Sequence, residues 1–122
     1  MRKIASLLVL SALFASSTLG KTLQEWKKRT VYQIVTDRFA KGDRTKPTCD
    51  LTSQPNYCGG DWDGITINMD YIKNLGFDAI WISPVIDNTA NGYDGYWARN
   101  FDLLNVHFGN DVALKKLVDT AH

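Results

Sequence analysis

The sequence predicts an α/β fold in which short parallel strands alternate with amphipathic helices. Residues 31–35 and 79–82 are brief, almost unbroken apolar runs, as expected for strands that are buried on both faces. Each run is followed by a long polar loop and then by apolar residues at helical spacing. Strands joined through a helix run parallel, so both loops should leave the carboxyl edge of the sheet, where such folds hold their ligands.

The first helix is predicted to follow a loop formed by residues 40–61. A structureless loop of that length is usually functional. Asp63 is the expected N-cap of the helix, and Asp61, on the other side of Trp62, is also expected to cap it. Gly76 stands where a helix commonly ends. The predicted apolar face consists of Ile65, Met69, Ile72 and Leu75.

Pro84 ends the second strand and begins a second predicted loop, residues 84–108. The second helix is predicted to start with Asn110 or Asp111 as its cap. Its apolar face comprises Leu114, Leu117, Val118 and Ala121. Two strands and two helices leave both sheet edges open and much apolar strand surface uncovered. We therefore expect the chain to be the front part of a larger α/β domain.

The first twenty residues are typical of a secretion signal. Arg2 and Lys3 precede an apolar stretch, residues 4–15, and small residues follow at positions 16–20. The apolar stretch is shorter than the roughly 20 residues that span a bilayer. We predict a signal peptide at residues 1–20, a secreted extracellular product and one domain portion at 21–122, with an uncleaved membrane anchor as the alternative.

The net charge bears on the classes of partner, and the two cysteines bear on a disulfide. The formal net charge is +1, from 14 basic and 13 acidic residues, which gives no indication of a nucleic-acid or membrane-surface partner. Cys49 and Cys58 lie in a polar, proline-containing segment of a chain predicted to be secreted, so we expect them to form a disulfide. A metal site needs about four ligands, and no histidine is near this pair.

The segment NGYDGYWARNF, residues 91–101, places two large rings side by side in the second predicted loop. Tyr96 and Trp97 cannot both face one core from a regular strand, since adjacent side chains point to opposite sides. Two interpretations follow from the residues alone. The rings either pack the loop against the rest of the protein or bind a flat ligand with an apolar face.

Four motifs resemble the secreted α-amylase family of glycoside hydrolases, especially fungal α-amylases and cyclodextrin glucanotransferases. In chain order they are VYQIVTDRF, YCGGDWDGI, LGFDAIWISPV and GYWARNF. The resemblance implies that residues 31–122 are the first two βα units of an incomplete (β/α)8 TIM-type barrel. It also implies cleavage of α-1,4-glucans by a retaining mechanism, which needs two carboxyl groups about 5–5.5 Å apart.

The resemblance also assigns site residues. In the family the catalytic carboxylates and the main Ca²⁺ ligands come from later strands, so none is expected within residues 1–122, and the chain alone should be inactive. Tyr96 matches a tyrosine that stacks on the substrate sugar, and Trp97 matches a neighbouring tryptophan that contacts it. Gln54 could match a substrate-contacting glutamine. Asp94 replaces the family's usual histidine and is either a ligand of a sugar hydroxyl or a turn residue.

The resemblance leaves other polar residues with structural roles. An additional calcium site of some relatives would use the positions of Lys41, Asp43 and Asp61, where the lysine ammonium repels a cation. Asp37 and Arg38 are expected to form a buried ion pair or loop anchor. His107 is expected to be a loop histidine with satisfied contacts.

Three functions remain open at this stage. The first is α-glucan hydrolysis by a secreted, monomeric, Ca²⁺-dependent enzyme. The second is transglycosylation by a cyclodextrin-forming relative, which differs in segments absent from this chain. The third is a non-catalytic, membrane-anchored ectodomain of amylase type.

Overall fold

A computed structural model describes residues 20–50, 52 and 56–122 of the chain. The predicted signal peptide lies outside the described residues apart from Gly20, and Gln54 lies outside them as well. Among the residues that are described, no helix has the length and apolar character needed to cross a membrane.

Two small sheets and five helices make up the described part of the chain. In chain order the elements are α1 (Leu23–Trp26), β1 (Val31–Ile34), α2 (Thr36–Phe39), α3 (Trp62–Ile67), α4 (Met69–Asn74), β2 (Ala79–Ile82), β3 (Ile86–Asn88), β4 (Ala98–Leu104) and α5 (Asp111–Ala121). The predicted alternation of strand and helix is therefore present. The short helices α1 and α2 and the antiparallel pair between β2 and α5 are additions to it.

Strands β1 and β2 are parallel, as predicted, with Val31 opposite Ala79 and Ile34 opposite Ile82. The prediction that both strands are buried on two faces is wrong for this chain. Ile34 is buried, but Val31 is exposed and Trp81 is 61% exposed. The helices cover one side of a two-stranded sheet, and no described element covers the other.

The predicted first helix is divided into α3 and α4 at Asn68, whose φ of −104° and ψ of 13° are not helical. The N-cap is Asp61 rather than Asp63, because the Asp61 carboxylate accepts the Gly64 N–H at 2.6 Å. Asp63 instead forms an ion pair with Lys116 at 3.2 Å. Gly76 follows α4 with a φ of +93°, which confirms the predicted glycine at the helix end.

The second predicted loop is not structureless, because it contains the antiparallel pair of β3 and β4. Asn88 pairs with Ala98 and Ile86 with Leu104, and the register shifts between them. The last four residues of the NGYDGYWARNF segment therefore belong to a strand. These shifts interrupt the strict alternation from which a strand is identified in a sequence.

The core lies between the β1–β2 sheet and the helices. Its buried apolar members are Ile34, Trp62, Ile65, Ile72, Phe108 and Leu117. The Trp62 and Phe108 rings meet edge to face with their centres 6.1 Å apart. The backbone N–H of Trp62 donates to the Phe108 carbonyl at 2.9 Å. Asn110 caps α5 as predicted by accepting the Ala113 N–H at 2.9 Å. This packing joins β1, through Ile34, to the helices that follow the two strands.

Candidate functional site

The two long loops meet at the carboxyl edge of β1 and β2. The Tyr57 hydroxyl, in the loop after β1, donates to the carbonyl of Gly92, in the connection between β3 and β4, at 3.0 Å. The Arg38 guanidinium lies over the Tyr93 ring, 3.9 Å from its centre. The predicted parallel order of the strands is what brings these segments together, although 35 residues separate Tyr57 from Gly92 in the chain.

Tyr96 and Trp97 have fixed backbones and exposed rings. The Asp94 carboxylate accepts the Tyr96 N–H at 3.0 Å, and the Asn88 side-chain oxygen accepts the Trp97 N–H at 2.6 Å. The Tyr96 side chain is nevertheless 64% exposed and Trp97 47% exposed. Both rings therefore keep a large exposed surface in the described part of the chain, and their contact with a ligand stays a prediction. We call these two side chains the aromatic platform.

Asp94 acts as a turn residue at one end of this platform. Its Oδ1 accepts the N–H of the residue two positions on, which is the usual hydrogen bond of an aspartate in a turn. The remaining oxygen lone pairs can still accept a hydrogen bond from a ligand. The turn role, one of the two alternatives for Asp94, is thus present in the structure.

The predicted disulfide between Cys49 and Cys58 is confirmed, with the two Cα atoms 4.5 Å apart. Arg38 binds beside it and donates to the Cys49 sulfur at 3.0 Å and to the Asn56 carbonyl at 2.8 Å. The disulfide thus closes a ring within the loop that carries Tyr57, and Arg38, on α2 directly after β1, ties that ring to the end of the strand.

Asp37 is a buried anchor, as predicted. Its carboxylate has no solvent exposure and accepts the Cys58 N–H at 2.8 Å and the Gly59 N–H at 3.0 Å. Arg38 completes the arrangement as an ion pair at 3.0 Å. Because these bonds hold the loop and occupy the oxygens, Asp37 is suited to a structural role rather than to proton transfer.

An ion pair between β3 and β4 was not predicted from the sequence. Arg99 of β4 donates two hydrogen bonds to the buried carboxylate of Asp87 of β3, at 2.8 and 3.0 Å. These bonds and the positive charge of Arg99 lower the pKa of Asp87 below its ordinary value of 3.8, and Asp87 raises the pKa of Arg99 in turn. The pairing could not be read from the chain, because an irregular register brings the two residues together.

Asp87→Asn is expected to reduce the steepness of acid unfolding. Since the folded pKa of Asp87 is lowered, the carboxylate stabilises the fold above pH 3.8 and this contribution is lost as the pH falls through the lowered folded value. The variant should be less stable than the wild type at pH 6, and the two should converge as the pH falls below 3.8 and through the lowered folded pKa of Asp87. Thermal unfolding midpoints across that range measure the effect.

Asp102→Asn, which removes an exposed carboxylate from the neighbouring strand β4, is the matched control for that series. A constant difference between wild type and Asp87→Asn at all pH values would contradict the prediction.

The residues considered for an additional calcium site do not fit a cation. Both Asp61 oxygens face backbone N–H groups, since Gly42 donates to them at 2.9 and 3.1 Å and Gly64 donates to one. Asp43 pairs with Lys41 at 3.5 Å. Within the described residues no group of three or more His, Cys, Asp or Glu side chains could hold a metal ion.

His107 stacks on Tyr57, with ring centres 3.8 Å apart and planes 15° from parallel. Its backbone N–H donates to the Asn105 side chain at 3.1 Å. His107 thus lies in a turn, as predicted for a loop histidine, and its ring is in contact with Tyr57. Tyr57 is therefore a residue of the site. The sequence indicates it only as the first residue of the motif YCGGDWDGI.

Residues 33–122 match the family model of the alpha amylase catalytic domain. The chain belongs to the alpha-amylase family. Alpha-amylase 1 of Schwanniomyces occidentalis is 45% identical over 116 residues, which cover 90% of this chain and 23% of that relative. The family predicted from the four motifs is thus confirmed, and the chain spans about a quarter of the length of this curated alpha-amylase.

Solved structures of the alpha-amylase family share the fold. An alpha-amylase from Malbranchea cinnamomea superposes with a TM-score of 0.75 at 39% identity, over 81% of this chain and 22% of that one. A cyclomaltodextrin glucanotransferase superposes with a TM-score of 0.65 at 37% identity, over 77% of this chain and 23% of that one. Both groups of relatives named in the resemblance are therefore structural neighbours.

Proposed function

We propose that the chain is the N-terminal part of a secreted α-amylase-type hydrolase that cleaves α-1,4-glucosidic bonds of starch-like glucans. Family membership supports the reaction class. The observation that carries the proposal for this chain is the aromatic platform, which is exposed and hydrogen-bonded in place at the carboxyl edge of two parallel strands. That edge is where barrel enzymes bind their substrates.

In this proposal β1 and β2, with the helices that follow them, are the first two βα units of a (β/α)8 barrel. The exposed strand residues support this assignment. Val31 and Trp81 present apolar surface that further strands and helices of a barrel would cover. A closed barrel would also remove the two open edges of the β1–β2 pair.

Tyr96 and Trp97 are proposed to bind one face of a glucose ring each. A pyranose carries an apolar face of axial C–H groups, and an aromatic ring offers a rigid surface for it. Asp94 would accept a hydrogen bond from a sugar hydroxyl while it holds the turn. Gln54 keeps its proposed role as a substrate ligand, which rests on the resemblance.

The catalytic carboxylates are proposed to lie outside residues 1–122. Among the strand-end carboxylates described here, Asp37 is enclosed by N–H donors and Asp87 by Arg99. A retaining mechanism needs one carboxylate free to attack the anomeric carbon and one carboxyl group to protonate the leaving oxygen. The complete enzyme is proposed to be a monomer that binds Ca²⁺ through ligands that also lie outside this chain.

Two assays of the complete gene product test the function. Reducing sugar released from starch should exceed that of a boiled control, and NMR of the first product should show the α-anomer, as retention requires. Residues 21–122 purified alone should release none. Activity in that piece, or a β-anomeric first product, would contradict the proposal.

The alternative favoured by the glucanotransferase neighbour is transglycosylation. Chromatography of the products from the complete enzyme separates the two reactions, because hydrolysis yields linear oligosaccharides and the alternative yields cyclic ones. Cyclic products as the main fraction would replace hydrolysis by transglycosylation while leaving the sugar-binding platform unchanged.

Secretion has its own test. N-terminal sequencing of protein recovered from the culture medium should show a mature start near Lys21. An intact Met1 on protein held at the cell surface would favour the membrane-anchored, non-catalytic alternative.

A further inference from the structure

We propose that Tyr57 is a positioning residue whose hydroxyl holds the aromatic platform in its sugar-binding position through the carbonyl of Gly92. This inference rests on the proposed function, since it assigns an effect on sugar affinity. Tyr57 would touch no substrate and would act entirely through the backbone of residues 88–97.

The direction of the hydrogen bonds identifies Tyr57 as the donor to the platform segment. The Asn105 side-chain amide donates to the Tyr57 hydroxyl at 3.0 Å, which leaves the phenolic proton for the Gly92 carbonyl, also at 3.0 Å. Asn105 is itself buried, and its backbone N–H donates to the Val85 carbonyl at 2.9 Å. The Tyr57 hydroxyl is therefore held in place by a buried and hydrogen-bonded side chain, that of Asn105.

The ring of Tyr57 is held as firmly as its hydroxyl. It stacks on His107 at 3.8 Å and meets Phe108 of the core edge to face at 6.0 Å. Partial burial raises the pKa of the Tyr57 phenol above its ordinary value of 10.0. The phenol consequently stays protonated, and remains a donor, at any pH at which a secreted hydrolase would work.

Gly92 transmits this constraint to both rings of the platform. Its carbonyl also accepts the N–H of Gly95, which directly precedes Tyr96, at 3.1 Å. A Cβ at position 92 would lie 2.8 Å from the Asn88 Cβ and 3.0 Å from the Trp97 Cβ, so Gly92 packs tightly against both residues. Asn88 in turn binds the Trp97 N–H. A shift of Gly92 would therefore move Tyr96 and Trp97 together.

Tyr57→Phe in the complete enzyme tests the inference, because it removes only the hydroxyl and keeps the ring between His107 and Phe108. We expect KM for maltopentaose to rise about 3- to 10-fold, as for the loss of one or two ordinary hydrogen bonds, with kcat changed less than KM. Amide hydrogen exchange should accelerate in residues 88–97 while α5 keeps its protection. A purely structural tyrosine would lower the unfolding temperature without raising KM.

Tyr71→Phe is the matched control, because it removes a hydroxyl from an exposed tyrosine on α4. KM and exchange in residues 88–97 should stay at wild-type values in this variant. An unchanged KM in Tyr57→Phe, or unchanged exchange in residues 88–97, would overturn the inference.

A double-mutant cycle with Tyr96→Ala separates this inference from the function on which it rests. If Tyr57 acts through the platform, Tyr57→Phe should have little further effect on KM once the Tyr96 ring is absent. An equal rise in KM in both backgrounds would overturn the inference alone. An unchanged KM in Tyr96→Ala by itself would overturn the platform, and the positioning role with it.

Discussion

Replacing Tyr96 by alanine is expected to raise the KM of the complete enzyme for maltopentaose by about 10- to 100-fold. The variant removes the exposed ring that is proposed to supply a rigid apolar surface to the sugar, while the Asp94 turn and the backbone hydrogen bonds remain. Trp97→Ala should act in the same direction. Michaelis–Menten kinetics on oligosaccharides of defined length measure both effects.

Trp26→Ala and Tyr96→Phe are the informative comparisons. Trp26 is an exposed tryptophan on α1, so its removal should leave KM at the wild-type value. Tyr96→Phe keeps the ring and should retain most of the affinity, because the stacking surface is apolar. A wild-type KM in Tyr96→Ala, or equal losses in the alanine and phenylalanine variants, would show that ring stacking is not the interaction that binds sugar.

Asp37→Ala is expected to destabilise the fold by about 3 kcal/mol or more, which is among the largest effects of a single substitution. The variant leaves the buried N–H of Cys58 and the partly buried N–H of Gly59 without their acceptor and removes the ion-pair partner of Arg38. Buried donors without partners cost about 1–3 kcal/mol each. Urea unfolding monitored by tryptophan fluorescence measures the decrease in the free energy of unfolding.

Asp119→Ala is the matched control for that experiment, because Asp119 forms an exposed ion pair with Lys115 within one helix. Such pairs contribute about 0.3–0.5 kcal/mol, so its unfolding midpoint should barely change. Equal midpoints for Asp37→Ala and Asp119→Ala would contradict the role of Asp37 as the anchor of the first loop.

The parallel strands could be predicted to within one residue because their apolar runs are short and bounded. The runs at residues 31–35 and 79–82 correspond to β1 (Val31–Ile34) and β2 (Ala79–Ile82). The helical spacing after each strand likewise located the helices. These features are encoded locally, since burial on a sheet or a helix face needs a repeating pattern of side chains.

The N-cap of α3 could not be chosen from neighbouring residues alone. Asp61 and Asp63 flank Trp62 and are chemically identical candidates for the cap. Asp61 is the cap because Gly42, nineteen residues earlier, donates its N–H to the same carboxylate. Asp63 is drawn instead to Lys116, on a helix far along the chain. A contact that is distant in sequence decided between two equal local choices.

The hairpin of β3 and β4 could not be predicted for a related reason. Its register shifts twice within three residues, so neither strand shows the regular alternation that identifies a half-buried strand. Its two strands are joined by the ion pair of Asp87 and Arg99, whose pairing depends on that register. Only the folded chain brings the two side chains together.

By itself the sequence determined the family, the disulfide partners and the two aromatic residues of the platform, because these are properties of residue type and spacing. The tertiary structure decided that the Tyr96 and Trp97 rings face outward and that Tyr57 reaches Gly92. The physical reason is that exposure and hydrogen-bond partners depend on how the loops after β1 and β2 pack at one sheet edge. The sequence NGYDGYWARNF identifies the two aromatic side chains. The hydrogen bonds of Asn88, Asp94 and Tyr57 hold the backbone that carries them.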